Sequence, residues 1–272
     1  MTLDEQERQL DRAARIVHDS RHVVALVGAG ISVESGIPPF RGPGGLWTKH
    51  GEPAMDGYQR FLADPRGWWA DRLARQSEYS EFAKALAEAR PNAAHYAMAE
   101  MERMGALQHI ITQNIDNLHQ EAGSVAIIEI HGNRLKLRCI GCGARWPLGE
   151  LPTDEVPPRC PDCGGMVKSD TVMFGEPIPL DALESCQTQA RLCDCMLLVG
   201  TSAVVYPAAE FPVIARRRDA RLIEINPNET PLTDLCDAVL RGPAGETLPK
   251  LVERLKALTA LRAEPQDEAL ES

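Results

Sequence analysis

The chain has no run approaching the roughly 20 consecutive apolar residues that cross a bilayer, so no membrane partner is expected. It also lacks a basic excess: 29 Lys and Arg stand against 39 Asp and Glu, for a formal net charge of −10. Proteins that grip a phosphate backbone usually carry a basic face, so direct nucleic-acid binding is not expected and a basic protein substrate fits the charge better. Internal repeats and low-complexity segments are missing, which sets aside stacked-repeat architectures. The opening MTLDEQERQLDRAARIV spreads charges around Leu3, Leu10, Ala14 and Val17, a surface-helix pattern and not the apolar run of a signal peptide. A cytoplasmic location is therefore expected. A chain of 272 residues can bury a core without staples, so its 8 cysteines are expected as metal ligands or core residues before disulfides.

What the chain does contain is a series of short β-rich runs: HVVALVG (22–28), HIITQN (109–114), AIIEIHG (126–132), MLLVGTS (196–202), RLIEIN (221–226) and DAVLRG (237–242). Helical patterns separate several of them, as in PNAAHYAMAEMERMG, which starts at Pro91 and Asn92 and stops at Gly105. Such alternation predicts an α/β fold with a doubly wound parallel, Rossmann-like sheet covered on both faces. Two stretches interrupt it: residues 42–85, rich in Trp, Arg and Gly, and residues 133–171, with four of the cysteines. The expected organisation is a Rossmann-like domain over 1–41, 86–132 and 172–262, with a flexible polar tail over 263–272. A helical insertion (42–85) and a zinc-binding module (133–171) are expected to form a smaller lobe. Ligands are expected in the cleft between the lobes.

Cys139 and Cys142 are followed, after 17 residues, by Cys160 and Cys163, each pair backed by a glycine, Gly143 or Gly164. Four thiolates at this spacing suit one tetrahedral zinc ion, with redox use as the weaker alternative. Four protein ligands close the shell and leave no position for water or substrate, so the predicted zinc is structural. Cys186, Cys193, Cys195 and Cys236 sit in apolar contexts and are expected in the core.

VVALVGAGISVESGIPPFRG starts as a strand and ends as a glycine-punctuated turn, a pattern suited to a diphosphate held on backbone N–H groups. Gly28 and Gly30 fit the dinucleotide fingerprint. Val33 stands where its third glycine belongs and Gly36 arrives three residues later, which disfavours a plain hydride-transfer enzyme. Pro38 and Pro39 then stiffen the chain ahead of Phe40 and Arg41, an aromatic ring and a cation over the ligand. In TQNIDNLH, Gln113, Asn114 and Asp116 crowd a strand's carboxyl end, where open α/β sheets bind ligands. Asn114 or Asp116 could instead cap a helix. His131 ends the strand of IEIHGN, either as a structural histidine or as an acid–base group.

GAGIS, GIPPFR, TQNIDNLH, the strand-end HG, the four cysteines, VMFGE, VGTS, IN and GPAGE occur in one order. In that order the chain resembles the sirtuins, the NAD-dependent protein-lysine deacylases, over residues from about 15 to 255. ESGIPPFRGPGGLW is most similar to the prokaryotic and mitochondrial, class III-like branch. The resemblance implies NAD as co-substrate, one structural zinc and acylated lysine on a protein as substrate; a monomer is expected. It implies that Gly28, Ala29, Gly30 and Ser32 line the NAD diphosphate, with Arg41 over phosphate and ribose. Ala29, Ile37, Phe40, Asn114, Ile115 and Asp116 would receive nicotinamide, and Gln113 the ribose beside it. Gly200, Thr201 and Ser202 would take the phosphate and adenosine side, Asn226 the adenosine ribose, and Ala244 would lie near adenine. His131 matches the family's general base, with Asn114 and Asp116 beside it in the catalytic set. The implied chemistry is attack of the amide oxygen on the ribose as nicotinamide leaves, after which His131 deprotonates a ribose hydroxyl and the acyl group passes to ADP-ribose.

Peptide would enter as an added strand between TVMFGEP and SAVVYPAA. Val172, Phe174 and Phe40 would wall the acyl-lysine stem, with Gly175, Glu176 and Val205 beside the peptide; Val172 and Phe174 also read as plain core. In the acidic-acyl branch a Tyr and an Arg three residues apart read the substrate carboxylate. DPRGWWADRLARQ puts Arg72 at the tyrosine position and Arg75 at the arginine, so acetyl-lysine is expected ahead of succinyl-lysine. Both arginines also read as a solvated helix face. Ser169 replaces the family's usual proline after Lys168, which is expected to loosen only the start of that loop. Rival readings are ADP-ribosyl transfer to protein, an NAD-sensing module without catalysis, and a nucleic-acid zinc ribbon, the last disfavoured by the few cations of residues 138–168.

Overall fold

The computed structural model describes residues 2–42, 44–75, 81–150 and 155–263, so the expected tail lies, from residue 264 on, outside the described residues. In chain order the strands are β1 (Val23–Val27), β2 (His109–Thr112), β3 (Ile127–Glu129), β4 (Lys136–Cys139), β5 (Arg145–Pro147), β6 (Val167–Ser169), β7 (Cys195–Val199), β8 (Arg221–Ile225) and β9 (Ala238–Leu240). The six β-rich runs of the sequence become one parallel sheet in the order β3-β2-β1-β7-β8-β9. The remaining three form a separate antiparallel sheet ordered β5-β4-β6.

Side chains alternate across a strand, and both faces of the large sheet are covered. Val23, Ala25 and Val27 of β1 face the helices Leu3–Asp19, Ala93–Arg103 and Ala244–Ala263, whereas Val24 and Leu26 face Leu180–Leu192 and Phe211–Arg216. A strand buried on both sides has no polar alternation, which is why VVALV and CMLLV are continuous apolar runs. Cys186, Cys193 and Cys195 are buried in this core and Cys236 is half-buried beside it.

The helix Ala93–Arg103 starts in a capping box: the Asn92 side-chain oxygen accepts the Ala94 N–H at 2.9 Å, and His95 Nδ1 accepts the Asn92 N–H at 3.3 Å. The Asn92 amide also donates to the Ile31 carbonyl at 2.7 Å and to Ser35 Oγ at 2.9 Å, tying the helix start to the glycine-rich turn. Strand order reverses between β1 and β7, and the crevice outside the carboxyl ends of such strands is the ligand site of open α/β sheets.

The two interrupting stretches share one core. Phe61 and Trp69, from the helices Gly57–Ala63 and Pro65–Arg75, pack with Leu137, Cys139, Cys160 and Val167 of the small sheet and its flanking turns. Trp69 is 2% exposed, and its Nε1–H donates to the Val167 carbonyl at 3.0 Å, so its only polar atom is satisfied.

Candidate active site and zinc site

After β1 the chain passes through Gly28 into a 3-10 turn, Ala29–Ser35. That turn lies against the residue following β7: Gly28 N–H donates to the Val199 carbonyl at 3.0 Å and Gly30 N–H to the Gly200 carbonyl at 2.8 Å. A Cβ on Gly30 would come 2.6 Å from Gly200 Cα, and one on Gly28 2.8 Å from the Gly200 carbonyl oxygen. Both glycines are thus required by the close approach of two loops of the protein itself. The displaced third glycine also has a local reason, because the turn ends at Gly36, whose φ of 88° is left-handed.

Next to the turn lies a triangle of polar side chains. Ser32 is 1% exposed; its hydroxyl donates to Asp116 Oδ2 at 2.7 Å and accepts from the Asn114 amide at 3.2 Å. The same amide donates to the Gly28 carbonyl at 3.2 Å. Ser32, expected along a diphosphate, therefore has its hydroxyl committed to Asn114 and Asp116. Asp116 Oδ1 accepts the Leu118 N–H at 3.0 Å, so one carboxylate both steadies the start of the short helix Leu118–Glu121 and faces Ser32. Burial raises the Asp116 pKa, against the hydrogen bonds from Ser32 and Leu118. Ile37 is buried against Leu118, Leu86 and Ala89. The Ile115 carbonyl accepts the Arg134 N–H at 3.1 Å.

On the β7 side, Gln113 Nε2 donates to Thr201 Oγ1 at 2.9 Å, and Asn226 Nδ2 donates to the Thr201 carbonyl at 2.9 Å. Ser202 is exposed. Ala244 is buried in the core at the first turn of the last helix, where Gly245 N–H donates to Glu34 Oε2 at 2.6 Å.

His131 is half-buried, and its Nδ1 lies 3.0 Å from the Gln113 carbonyl. A carbonyl only accepts, so Nδ1 carries the hydrogen and Nε2 keeps its lone pair. Burial lowers the pKa of this histidine, against the Gln113 hydrogen bond, and favours the neutral ring. The His131 carbonyl accepts the Val172 N–H at 2.9 Å, which connects the histidine to the segment bearing Phe174.

Phe40 and Phe174 meet in an aromatic cluster whose centre is Trp47, with ring centroids 5.0 Å from Phe40 and 5.6 Å from Phe174; Phe82 adds a ring 5.9 Å from Phe40. No sequence motif marks Phe82 for this cluster, and Trp47 is marked only by closing the run GGLW. Arg41, expected over a phosphate, stacks on Trp47 at 4.3 Å and pairs with Glu52 at 3.1 Å. Arg72 does not stand on a solvated face: it is half-buried over Trp68 at 5.6 Å, and burial lowers its pKa. The Arg75 side chain lies outside the described residues. Gly175 is exposed and Val205 half-buried. Glu176, expected beside a peptide, turns its carboxylate inward. That carboxylate is only 3% exposed and pairs with Arg138 at 2.5 Å and Lys168 at 3.0 Å, because buried charges need partners.

The four sulfurs of Cys139, Cys142, Cys160 and Cys163 lie within 4.8 Å of one another, with Cys139–Cys163 and Cys142–Cys160 each at 3.6 Å. Tetrahedral sulfurs about 2.3 Å from one zinc ion lie about 3.8 Å apart, so the set fits. The N–H groups of Gly141 and Cys142 point at Cys139 Sγ (3.3 and 3.5 Å) and that of Gly165 at Cys163 Sγ (3.4 Å), donors suited to thiolates.

The profile of the Sir2 family matches residues 28–207. NAD-dependent protein deacylase 2 of Pyrobaculum aerophilum is 44% identical over 243 residues, covering 89% of this chain and 94% of that protein. Among solved structures, a mutant Sir2 homologue in complex with ADP-ribose superposes with a TM-score of 0.76 at 39% identity, covering 93% of this chain and 98% of that one. A Sir2–p53 peptide–NAD+ complex superposes with a TM-score of 0.71 at 33% identity, covering 89% and 97%.

Proposed function

Because the chain belongs to the Sir2 family, we propose that it is an NAD-dependent protein-lysine deacylase, with acetyl-lysine as its preferred substrate. His131 carries this reading: a histidine whose Nδ1–H is fixed on the Gln113 carbonyl, with a lowered pKa, offers Nε2 as a base near neutral pH. NAD, as co-substrate, supplies a ribose from which nicotinamide can leave and to which the acyl group is transferred.

The protein's own groups suit that exchange. The N–H groups of Ala29, Thr201 and Ser202 have no partner among the described residues and supply donors for a diphosphate flanked by Gly28, Gly30 and Gly200. Asn114 and Asp116, held by Ser32, form with Ile37, Phe40 and Ile115 the wall for nicotinamide. Gln113 serves the adjoining ribose, Asn226 and Ala244 the adenosine end, and Arg41 the phosphates. Phe40, Val172 and Phe174 line the acyl-lysine stem, excluding water from it, while Gly175 and Val205 flank the peptide. The four cysteines would hold one zinc ion with no open coordination position, which organises the small lobe and takes no part in the chemistry.

We assign NAD to the lobe built from 1–41, 86–132 and 172–262, and substrate contacts to its border with 42–85 and 133–171. We further propose a cytoplasmic monomer and, on the strength of the net charge of −10, no direct nucleic-acid contact. No helix of the described residues is long and apolar enough to cross a membrane.

Incubation with NAD and an acetyl-lysine peptide tests the proposal. Nicotinamide should appear in step with loss of acetyl mass from the peptide. Peptide that gains ADP-ribose would favour the transferase reading, and binding of NAD with no turnover the sensing module.

A further inference from the structure

Residues Met173–Glu176 form a closed turn. The Glu176 N–H donates to the Met173 carbonyl at 3.0 Å, and the Met173 N–H returns to Glu176 Oε2 at 2.8 Å. Phe174 and Gly175 are at the apex, Gly175 with a φ of 78°. The helix Gly57–Ala63 and the turn ahead of it grip the outside of this apex: Tyr58 N–H donates to the Phe174 carbonyl at 3.0 Å, and a Cβ on Gly175 would come 2.6 Å from the Met55 carbonyl oxygen. The N–H groups of Phe174 and Gly175 have no partner among the described residues.

The inner side is held by charge. Arg138 of β4 donates Nε to Asp170 Oδ1 at 2.9 Å and Nη2 to Glu176 Oε1 at 2.5 Å, so one planar guanidinium spans both ends of the segment 170–176. Lys168 adds a second cation at 3.0 Å from Glu176 and donates to the carbonyls of Ser169 and Thr171, each at 2.8 Å. Exposure of the side chains of Arg138, Asp170, Glu176 and Lys168 is 7, 1, 3 and 0%. Burying so many ions gains little stability over apolar packing of the same volume, whereas their directionality fixes geometry. What they fix here lies between their two ends: Val172, bonded to the His131 carbonyl, and Phe174, against Trp47.

We propose that Arg138 and Glu176 are positioning residues for the acyl-lysine substrate. Through the two ends of segment 170–176 they set where Phe174 stands and where the two unpartnered N–H groups point, and so govern peptide binding without touching NAD. The proposal rests on the deacylase reading. Its test is steady-state kinetics of the full chain with an acetyl-lysine peptide and NAD, beginning with the unaltered protein. If that protein shows no turnover, the deacylase reading has failed; the clamp is then judged by direct binding of the same peptide.

Glu176→Gln keeps volume and an oxygen for the Met173 N–H but removes the charge that pairs with Arg138 and Lys168. Its peptide KM should rise about tenfold or more, with the KM for NAD within about twofold and kcat at saturating peptide largely kept. Arg138→Lys, which keeps a cation but cannot span both carboxylates, should show the same split. A peptide KM that stays put while kcat falls with the folded fraction would overturn the proposal, since a merely structural role predicts that pattern. Failure of both variants to fold would also overturn it, by making the cluster a stability element.

Discussion

His95 and His119 should make the fold acid-labile by a calculable amount. Their rings meet edge to face at 5.0 Å, are 0% and 1% exposed, and leave His95 Nε2 and both His119 nitrogens without a partner among the described residues. Burial lowers the His95 pKa to about 4 and that of His119 to about 3, the latter further disfavoured by His95. Unfolded histidine titrates near 6.5. With folded values below the unfolded one, their cost is absent above about pH 6.5 and grows as pH falls toward the folded values, because the unfolded chain takes up the protons first. At pH 5 the unfolded forms are almost fully protonated and the folded ones hardly at all, so each ring costs about 2 kcal/mol relative to pH 7, or about 4 for the pair. That is a large share of the roughly 5–15 kcal/mol of a typical domain. The amount is insensitive to the folded values as long as both stay near or below 4. The comparison is with a His95→Gln, His119→Leu double variant, since glutamine at that position can keep the capping box. Urea titrations at pH 7 and 5 should show the unaltered chain losing about 4 kcal/mol more than the variant, the other histidines cancelling. Equal losses would refute the placement of two neutral, unpartnered rings in the interior.

Replacing His131 by Ala should reduce deacylation about 10²–10⁴-fold, with nicotinamide exchange into NAD falling less, whereas Asp116→Asn should weaken both; undiminished deacylation by the His131 variant would remove it as the base. Since burial lowers the pKa of that histidine, kcat/KM should hold below pH 6.5 before its acidic limb appears, and a limb above pH 7 would contradict the neutral ring. Chelation of zinc, or Cys160→Ser, should lower Tm and redshift tryptophan emission as Trp69 leaves its shared core; an unchanged Tm would reject a structural ion. Acetyl peptide should be turned over faster than succinyl peptide, because Arg72 is occupied over Trp68; a higher kcat/KM for succinyl would reverse that assignment.

The large sheet could be read from the sequence because its two central parallel strands, covered on both faces, are apolar throughout, VVALV and CMLLV. The small sheet could not: β5 is Arg145, Trp146 and Pro147, and its pairing depends on cysteine turns and on Phe61 and Trp69 from a distant stretch. Candidate site residues were legible as types in order, but the directions of their side chains were not. Glu176 is expected beside the peptide, and nothing in FGEP shows that it pairs with Arg138, 38 residues earlier. Ser32 reads as lining a diphosphate, and no local pattern shows that its hydroxyl bonds Asp116 and Asn114. Gly28 and Gly30 read in the sequence as glycines that make room for a ligand, and their nearest constraint is Gly200.

That glycine contact bears on the thermodynamics of cofactor capture. Since the turn after β1 and the loop after β7 are already joined through Gly30 and Gly200 by a 2.8 Å hydrogen bond, a dinucleotide bridging them need not immobilise two independent loops. If NAD binds there as proposed, that preorganisation cuts the ordering cost of association. The seam also limits engineering: with no room for a Cβ at positions 28 or 30, side chains cannot be introduced at either without parting the two loops.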